Sequence, residues 1–143
     1  MGGFSVNNKD YRPLLQDRTV LVTGGTGSIG SRLVEEILKY HPRVVRVYSR
    51  DETKQLDLCL RLNEPSNLRS LVGDVRDAPR LGMALEGVDI VFHTAALKHV
   101  YACEYNPFEA VKTNVIGTQN LIDMSIAKGV KLVMGISTDK VVN

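Results

Sequence analysis

An acid and a base stand side by side near the end of the sequence. In "ISTDKVVN", residues 136–143, the last residue of an apolar run, Ile136, gives way to small polar residues and then to Asp139 and Lys140. Elimination chemistry needs one proton donor and one acceptor. Asp and Lys can divide those roles when their surroundings push the two pKa values apart. A lysine serves as a base only where burial or a neighbouring cation brings its pKa down towards neutrality. The structural alternative is an ion pair between adjacent loop residues. A second stretch, "TGGTGSIG" (residues 23–30), spaces Gly24, Gly27 and Gly30 three apart. Gly24 allows a sharp turn, Gly27 lets a pyrophosphate approach the backbone, and Gly30 lets a helix pack close to a sheet. Backbone N–H groups around Thr26, Ser28 and Ile29 are left free at the helix start and face the anion.

Both stretches need particular elements around them. "TVLVT" (19–23) is a short β-branched run suited to a strand buried on both faces. Ile29, Leu33 and Ile37, flanked by Val34 and Leu38, then recur as the apolar stripe of a helix that Pro42 stops. "VVRVYS" (44–49) reads as a second strand. "ETKQLDLCLRLN" (52–63) reads as a helix with Leu56, Cys59 and Leu60 inward, and "LRSLVG" (68–73) as a third strand. A short helix over 77–86 leads to a fourth strand, "DIVFHT" (89–94). Residues 106–129 form the longest predicted helix, with Asn106 as N-cap, Pro107 in the first turn and Glu109 as the capping-box carboxylate. "KLVMGI" (131–136) is the fifth strand. Strands alternating with helices through short links imply a parallel sheet covered on both faces. The expected class is α/β, a Rossmann-type doubly wound sheet that ends after its fifth strand. Residues 18–143 make up this domain. Residues 1–17 are expected to be a flexible tail, helical near Leu14 and Leu15.

The glycine triplet lies between a strand and a helix inside a βαβ unit, which is the context a dinucleotide site requires. An acid for the ribose hydroxyls is expected about twenty residues further on. Here the second strand ends in Ser49, Arg50 and Asp51. A hydroxyl and a guanidinium suit a dianionic 2′-phosphate better than a carboxylate would, which favours NADP, with NAD as the alternative. The alternative for Arg50 is a surface guanidinium closing onto Asp51 or Glu52. After the fourth strand, the small residues Thr94, Ala95 and Ala96 let backbone pass close to a cofactor, and Lys98 and His99 face whatever lies above the sheet. On composition, His93 reads as a satisfied strand-end histidine.

Composition narrows the class. Eighteen Lys plus Arg against sixteen Asp plus Glu leave a formal charge of +2, with no basic block of the kind that grips nucleic acid. Two cysteines without CxxC spacing make neither a disulfide framework nor a zinc site, so no metal is expected and a reducing cytoplasm is the default. No stretch has the composition of a signal peptide or approaches the roughly 18 apolar residues of a membrane span.

The GxxGxxG spacing resembles the short-chain dehydrogenase/reductase superfamily, and "TGGTGSIG" its extended, nucleotide-sugar branch. "TAALKHV", "EYNPFEAVKTNVIGTQNL" and "STDK" together resemble the 4,6-dehydratases of the bacterial polysaccharide-biosynthesis group that invert C5 of UDP-N-acetylglucosamine. The resemblance covers about residues 19 to 143. It implies that Asp74 and Val75, in "GDVRD" (73–77), border the adenine, with Asp74 accepting from its exocyclic amine; an N-cap role fits Asp77 better. It implies that Lys98 serves cofactor and substrate, that His99 meets the substrate, and that Asn114 either bonds near the nicotinamide ribose or braces backbone. It makes Thr138 the hydroxyl that binds the sugar hydroxyl being oxidised. Retaining dehydratases of the family carry Asp-Glu after it, and inverting ones Asp-Lys, as in Asp139-Lys140. Hydride leaves C4 for NADP⁺, a base takes the C5 proton, an acid protonates the departing C6 hydroxyl, and hydride returns at C6. A Tyr-x-x-x-Lys pair is expected beyond these residues, since none of Tyr11, Tyr40, Tyr48, Tyr101 and Tyr105 begins one. The implied protein is therefore longer: this chain is its cofactor-binding part, inactive alone, acting on a UDP-sugar and open to homo-oligomerisation. A 4-epimerase of the same family and a non-catalytic dinucleotide-binding module are the alternatives.

Overall fold

Val20, Leu21 and Val22 are wholly buried, although consecutive strand residues point to opposite faces of a sheet. Apolar material must therefore lie on both sides of the first strand. The computed structural model, which describes residues 10–136, shows how. Five parallel strands lie in the order β3-β2-β1-β4-β5: β1 Thr19–Thr23, β2 Val44–Ser49, β3 Leu68–Val72, β4 Ile90–His93 and β5 Leu132–Gly135. Val20 and Val22 face helices α2 (Ser28–Leu38) and α3 (Glu52–Arg61), in a cluster with Val34, Ile37, Leu58 and Phe92. Leu21 faces the other side, where Leu81, Leu85 and Leu121 pack on it from α4 (Ala78–Ala84), its C-terminal end and α7 (Gly117–Ala127). Each fully buried valine or leucine contributes about 1.5–3 kcal/mol. The centre of the sheet, β1 and β4, is thus covered on both faces, while the edge strands β3 and β5 keep most of their residues exposed.

The helical turn expected near Leu14 and Leu15 is present as α1 (Arg12–Leu15); Leu15 is buried in the core, while the other residues of 10–17 are exposed. Two other expectations change. In α3 the inward residues are Gln55 and Leu58, with Cys59 half-buried, while Leu56 and Leu60 are exposed. The Gln55 amide lies within hydrogen-bonding distance of the Ser49 carbonyl (3.2 Å), Ser49 Oγ (3.0 Å) and the Leu71 carbonyl (2.9 Å). Satisfying buried carbonyls outweighed placing two more leucines inside.

The long predicted helix is present without interruption from Pro107 to Ala127, but it contains a π-helical turn: it comprises α6 (Pro107–Val111), the π-helical turn (Lys112–Ile116) and α7, and it is preceded by a helix not foreseen, α5 (Val100–Tyr105). Asn106 makes no side-chain cap. Its amide donates to the Ala102 carbonyl at 3.0 Å, and Glu109 pairs with Arg76 and Lys112 instead of closing a capping box. Asp77, by contrast, caps α4, accepting from the Arg80 N–H at 2.9 Å.

Asp89 ties the starts of three strands together. Its carboxylate accepts from the Thr19 N–H (2.9 Å) and from Lys131 Nζ (3.1 Å), and its carbonyl accepts from the Lys131 N–H (2.9 Å). The Thr19 hydrogen bond, reinforced by Lys131, holds its carboxyl below the usual aspartate range. A depressed carboxylate stabilises the fold above the unfolded-state pKa and loses that contribution as pH falls through the folded one. Asp89→Ala should therefore cost about 1–3 kcal/mol at neutral pH, and the difference should shrink towards zero on acidification. Urea denaturation of both chains at pH 7 and near pH 3 checks this; a gap that persists in acid would assign the loss to packing.

Candidate dinucleotide site

The turn from β1 into α2 is set by what cannot fit there. Gly24 has φ +65°, and a Cβ on it would fall 2.7 Å from the Ala95 backbone nitrogen. A Cβ on Gly30 would lie 2.2 Å from the Gly24 carbonyl oxygen and 2.8 Å from Thr94 Oγ1. Thr94 locks the junction, donating from its hydroxyl to the Thr23 carbonyl (2.7 Å) with the Gly24 carbonyl at 3.2 Å. Gly27 differs: it is exposed, and the nearest atom to an added Cβ is the Gly24 oxygen at 3.3 Å. It caps α2 with no side-chain hydrogen bond. Among the described residues the N–H groups of Ser28, Ile29 and Gly30 have no protein acceptor. An eleven-residue helix thus presents unsatisfied donors and the positive end of its dipole beside an open glycine face. These residues fit a pyrophosphate.

The flanking residues converge on that face. Half-buried Thr26 leads into it, and Ile29, expected to start the inward stripe of α2, is exposed at its rim. Lys98 Nζ reaches Ser28 Oγ at 3.4 Å. Ala95 is half-buried against Gly24, while Ala96 and His99 are exposed. On the β2 side, Gly24 N–H donates to the Tyr48 carbonyl at 2.8 Å, which brings the loop next to Ser49 and Arg50. Arg50 is exposed and lies 3.9 Å from Asp74, not against Asp51 or Glu52. Asp51 caps α3 through the Lys54 N–H (3.0 Å). Ser49 is buried and accepts from Gln55, which leaves its own O–H as a donor.

Asp74 accepts from the backbone N–H of Arg76 (2.9 Å) and from its Nε (2.9 Å) and Nη2 (2.7 Å). Partial burial pushes this carboxyl up, but the Arg76 bonds outweigh it and hold it below the usual range. Val75 is buried against Gly117, where a Cβ would come within 2.6 Å of its Cγ2. Asn114, in the π-helical turn, braces backbone: Oδ1 accepts from the Leu97 N–H (2.8 Å) and Nδ2 donates to the Leu97 carbonyl (2.9 Å). Both ends of its amide are thus engaged by Leu97. His93 is the satisfied strand-end residue expected, between Thr23 Oγ1 (2.7 Å) and Thr118 Oγ1 (3.1 Å), with its pKa lowered by burial. Thr138, Asp139 and Lys140 lie outside the described residues.

Sequence reasoning missed three contributors. Tyr48 is buried and donates to the Asp74 carbonyl at 2.9 Å; burial pushes its phenol up to about 12, so it remains a donor. Arg76 and Gln55 were the others. An aromatic at the end of an otherwise aliphatic strand was the available signal for Tyr48.

Fold and loop together define a Rossmann-type domain of the short-chain dehydrogenase/reductase kind. More specifically, the chain belongs to the polysaccharide biosynthesis protein family, whose model matches residues 20–143. It is 54% identical over 135 residues to an uncharacterised membrane protein of Methanocaldococcus jannaschii, covering 94% of this chain and 40% of that protein. It is 45% identical over 131 residues to an inverting UDP-N-acetylglucosamine 4,6-dehydratase of Campylobacter jejuni (91% and 39% covered). A UDP-glucose 4-epimerase of Rickettsia rickettsii is 44% identical over 130 residues (88% and 38%). Among solved structures, Pen from Bacillus thuringiensis superposes with a TM-score of 0.82 at 49% identity, covering 84% of this chain and 38% of that one. A dTDP-glucose 4,6-dehydratase from Streptomyces venezuelae, solved with NAD, gives 0.72 at 32% (80% and 38%). The chain thus spans about two fifths of the length of these relatives. No described helix is long and apolar enough to cross a membrane.

The glycines separate fold from ligand. Gly24→Ala should cost about 2–4 kcal/mol of stability, from a left-handed φ plus a backbone clash. Gly27→Ala should leave stability within about 1 kcal/mol but weaken dinucleotide binding roughly tenfold or more. Thermal denaturation and calorimetry on the two variants test this; equal melting losses would mean that Gly27 is a folding residue.

Proposed function

We propose that this chain is the cofactor-binding part of an NADP-dependent, C5-inverting 4,6-dehydratase acting on a UDP-N-acetylglucosamine-like substrate in surface-polysaccharide synthesis. The observation that carries the cofactor half is the open Gly27 face, where free α2 N–H groups lie beside Lys98, with the glycine loop hydrogen-bonded to the end of β2 that leads to Arg50. The pairing of Asp139 with Lys140 after β5, where the ligand crevice of this fold lies, supports the dehydratase half. NADP⁺, when bound, supplies the hydride acceptor. Thr138 holds the C4 hydroxyl, Lys140 takes the proton from C5, and Asp139 gives one to the C6 hydroxyl as it leaves. Lys98 and His99 border the substrate. A reducing cytoplasm, where such cofactors and sugar nucleotides occur, is the proposed site of action. A 4-epimerase is the second reading, favoured by the Rickettsia relative.

Residues 1–143 alone should bind NADP⁺ in calorimetry and turn over no UDP-N-acetylglucosamine. Arg50→Ala should weaken NADP far more than NAD, by on the order of 1.5–3 kcal/mol. Equal losses would reduce Arg50 to a shaper of the loop.

In a full-length protein carrying this chain, reaction in D₂O should place deuterium at an inverted C5, read by NMR. Lys140→Ala should still reduce bound NADP⁺ but stall before elimination. A wild type that only epimerises C4, or a variant that eliminates at the wild-type rate, would favour the epimerase.

A further inference from the structure

Five charged side chains run from the end of β2 to the π-helical turn with alternating sign. Arg50 lies 3.9 Å from Asp74 Oδ2. Arg76 grips that same oxygen at 2.7 and 2.9 Å and fixes the other carboxylate oxygen through its backbone N–H. Its remaining guanidinium nitrogen, Nη1, bonds Glu109 Oε2, and Lys112 holds the second Glu109 oxygen at 3.0 Å. The loop is pinned from two further sides. Tyr48 Oη donates to the Asp74 carbonyl, and Asn120 Nδ2 donates to the carbonyls of Val75 (3.1 Å) and Arg76 (3.2 Å).

This arrangement bears on which dinucleotide the site takes. An uncompensated carboxylate beside Arg50 would act twice against a 2′-phosphate: by repelling it and by competing for the guanidinium. The distances favour Arg76, with Arg50 keeping only a long ion-pair contact to Asp74. Arg76 holds Asp74 at hydrogen-bonding range, while Arg50 stays a full ångström further out. Asp74 remains ionised at neutral pH, so its charge is offset by a partner and not by a proton.

We propose that Arg76 is a specificity-determining positioning residue: held by Glu109, it neutralises and turns Asp74, and so leaves Arg50 available to the 2′-phosphate of NADP. The inference rests on the reading that the adenosine ribose lies at the end of β2. NADP and NAD differ only in that phosphate, so the ratio of their affinities cancels whatever Asp74 does to the adenine, which both carry.

Calorimetry with NADP⁺ and NAD⁺ on four chains tests it. Wild type should prefer NADP. Arg76→Gln should reduce that preference about tenfold, the low end for a charge-assisted pair that is one-quarter to one-third exposed. Arg76→Lys, which keeps the charge, should retain most of the preference. Arg76→Gln combined with Asp74→Asn should recover it to within about twofold, because the unmatched carboxylate is gone. A preference that survives Arg76→Gln, or a double variant that does not recover, overturns the proposal while leaving the NADP reading intact. An Arg76→Lys variant as impaired as Arg76→Gln overturns it too, since charge would then not be the agent. A wild type with no preference for NADP overturns both readings.

Discussion

At Gly24 and Gly30 three pieces of backbone meet with no space for a side chain: the turn off β1, the first turn of α2 and the segment after β4. The rest of the cofactor end follows from that approach. Because Gly30 sits against the Gly24 carbonyl, α2 begins immediately above the sheet, and its free N–H groups open onto the crevice at the strand ends. Because Gly24 abuts Ala95, the segment carrying Lys98 and His99 crosses beside the glycine loop instead of away from it. Thr94 holds the contact with a hydroxyl that reaches two carbonyls. A corner of unsatisfied N–H donors is thus made almost wholly of backbone, and side chains enter only at its edges.

Those edges are organised by polar groups that would be costly to leave unpaired. Gln55 satisfies carbonyls of β2 and β3 from beneath, Tyr48 holds the loop after β3 by its carbonyl, and Arg76 joins that loop to α6. On the opposite side Asn114 closes both hydrogen bonds on Leu97. The segment from α6 to α7 therefore touches both the loop after β3, through Glu109, and the segment carrying Lys98, through Asn114.

The strands were legible in the sequence because β1 and β4 are buried on both faces, and doubly buried strands leave unbroken runs such as "TVLVT"; their order across the sheet was not read from it. The glycine loop was legible because its spacing and its strand–helix context act together. The reading failed where one polar contact outweighed a hydrophobic pattern. Leu56 and Leu60 had the spacing of an inward face, but the buried amide of Gln55 set the roll of α3. It failed again where partners are distant in sequence. Arg76 and Glu109 are 33 residues apart, and nothing in "GDVRD" announces which carboxylate comes to meet it. Helix α5 escaped because Tyr101 and Tyr105 point outward and leave no apolar stripe.

The π-helical turn at Lys112–Ile116 acts as a phase setter. An α-helix advances about 100° per residue, so one extra residue in a single turn swings everything beyond it by that angle. Asn114 aims at Leu97, while Gly117, three positions on, lies flat against Val75. In a regular helix the two would share one side. The surplus residue lets a single rod address two directions, and it makes the count of residues between Glu109 and Gly117 part of the site. Substitution there changes one contact. Deletion would rotate one end of the crevice out of step with the other, so over this span chain length is under tighter constraint than composition.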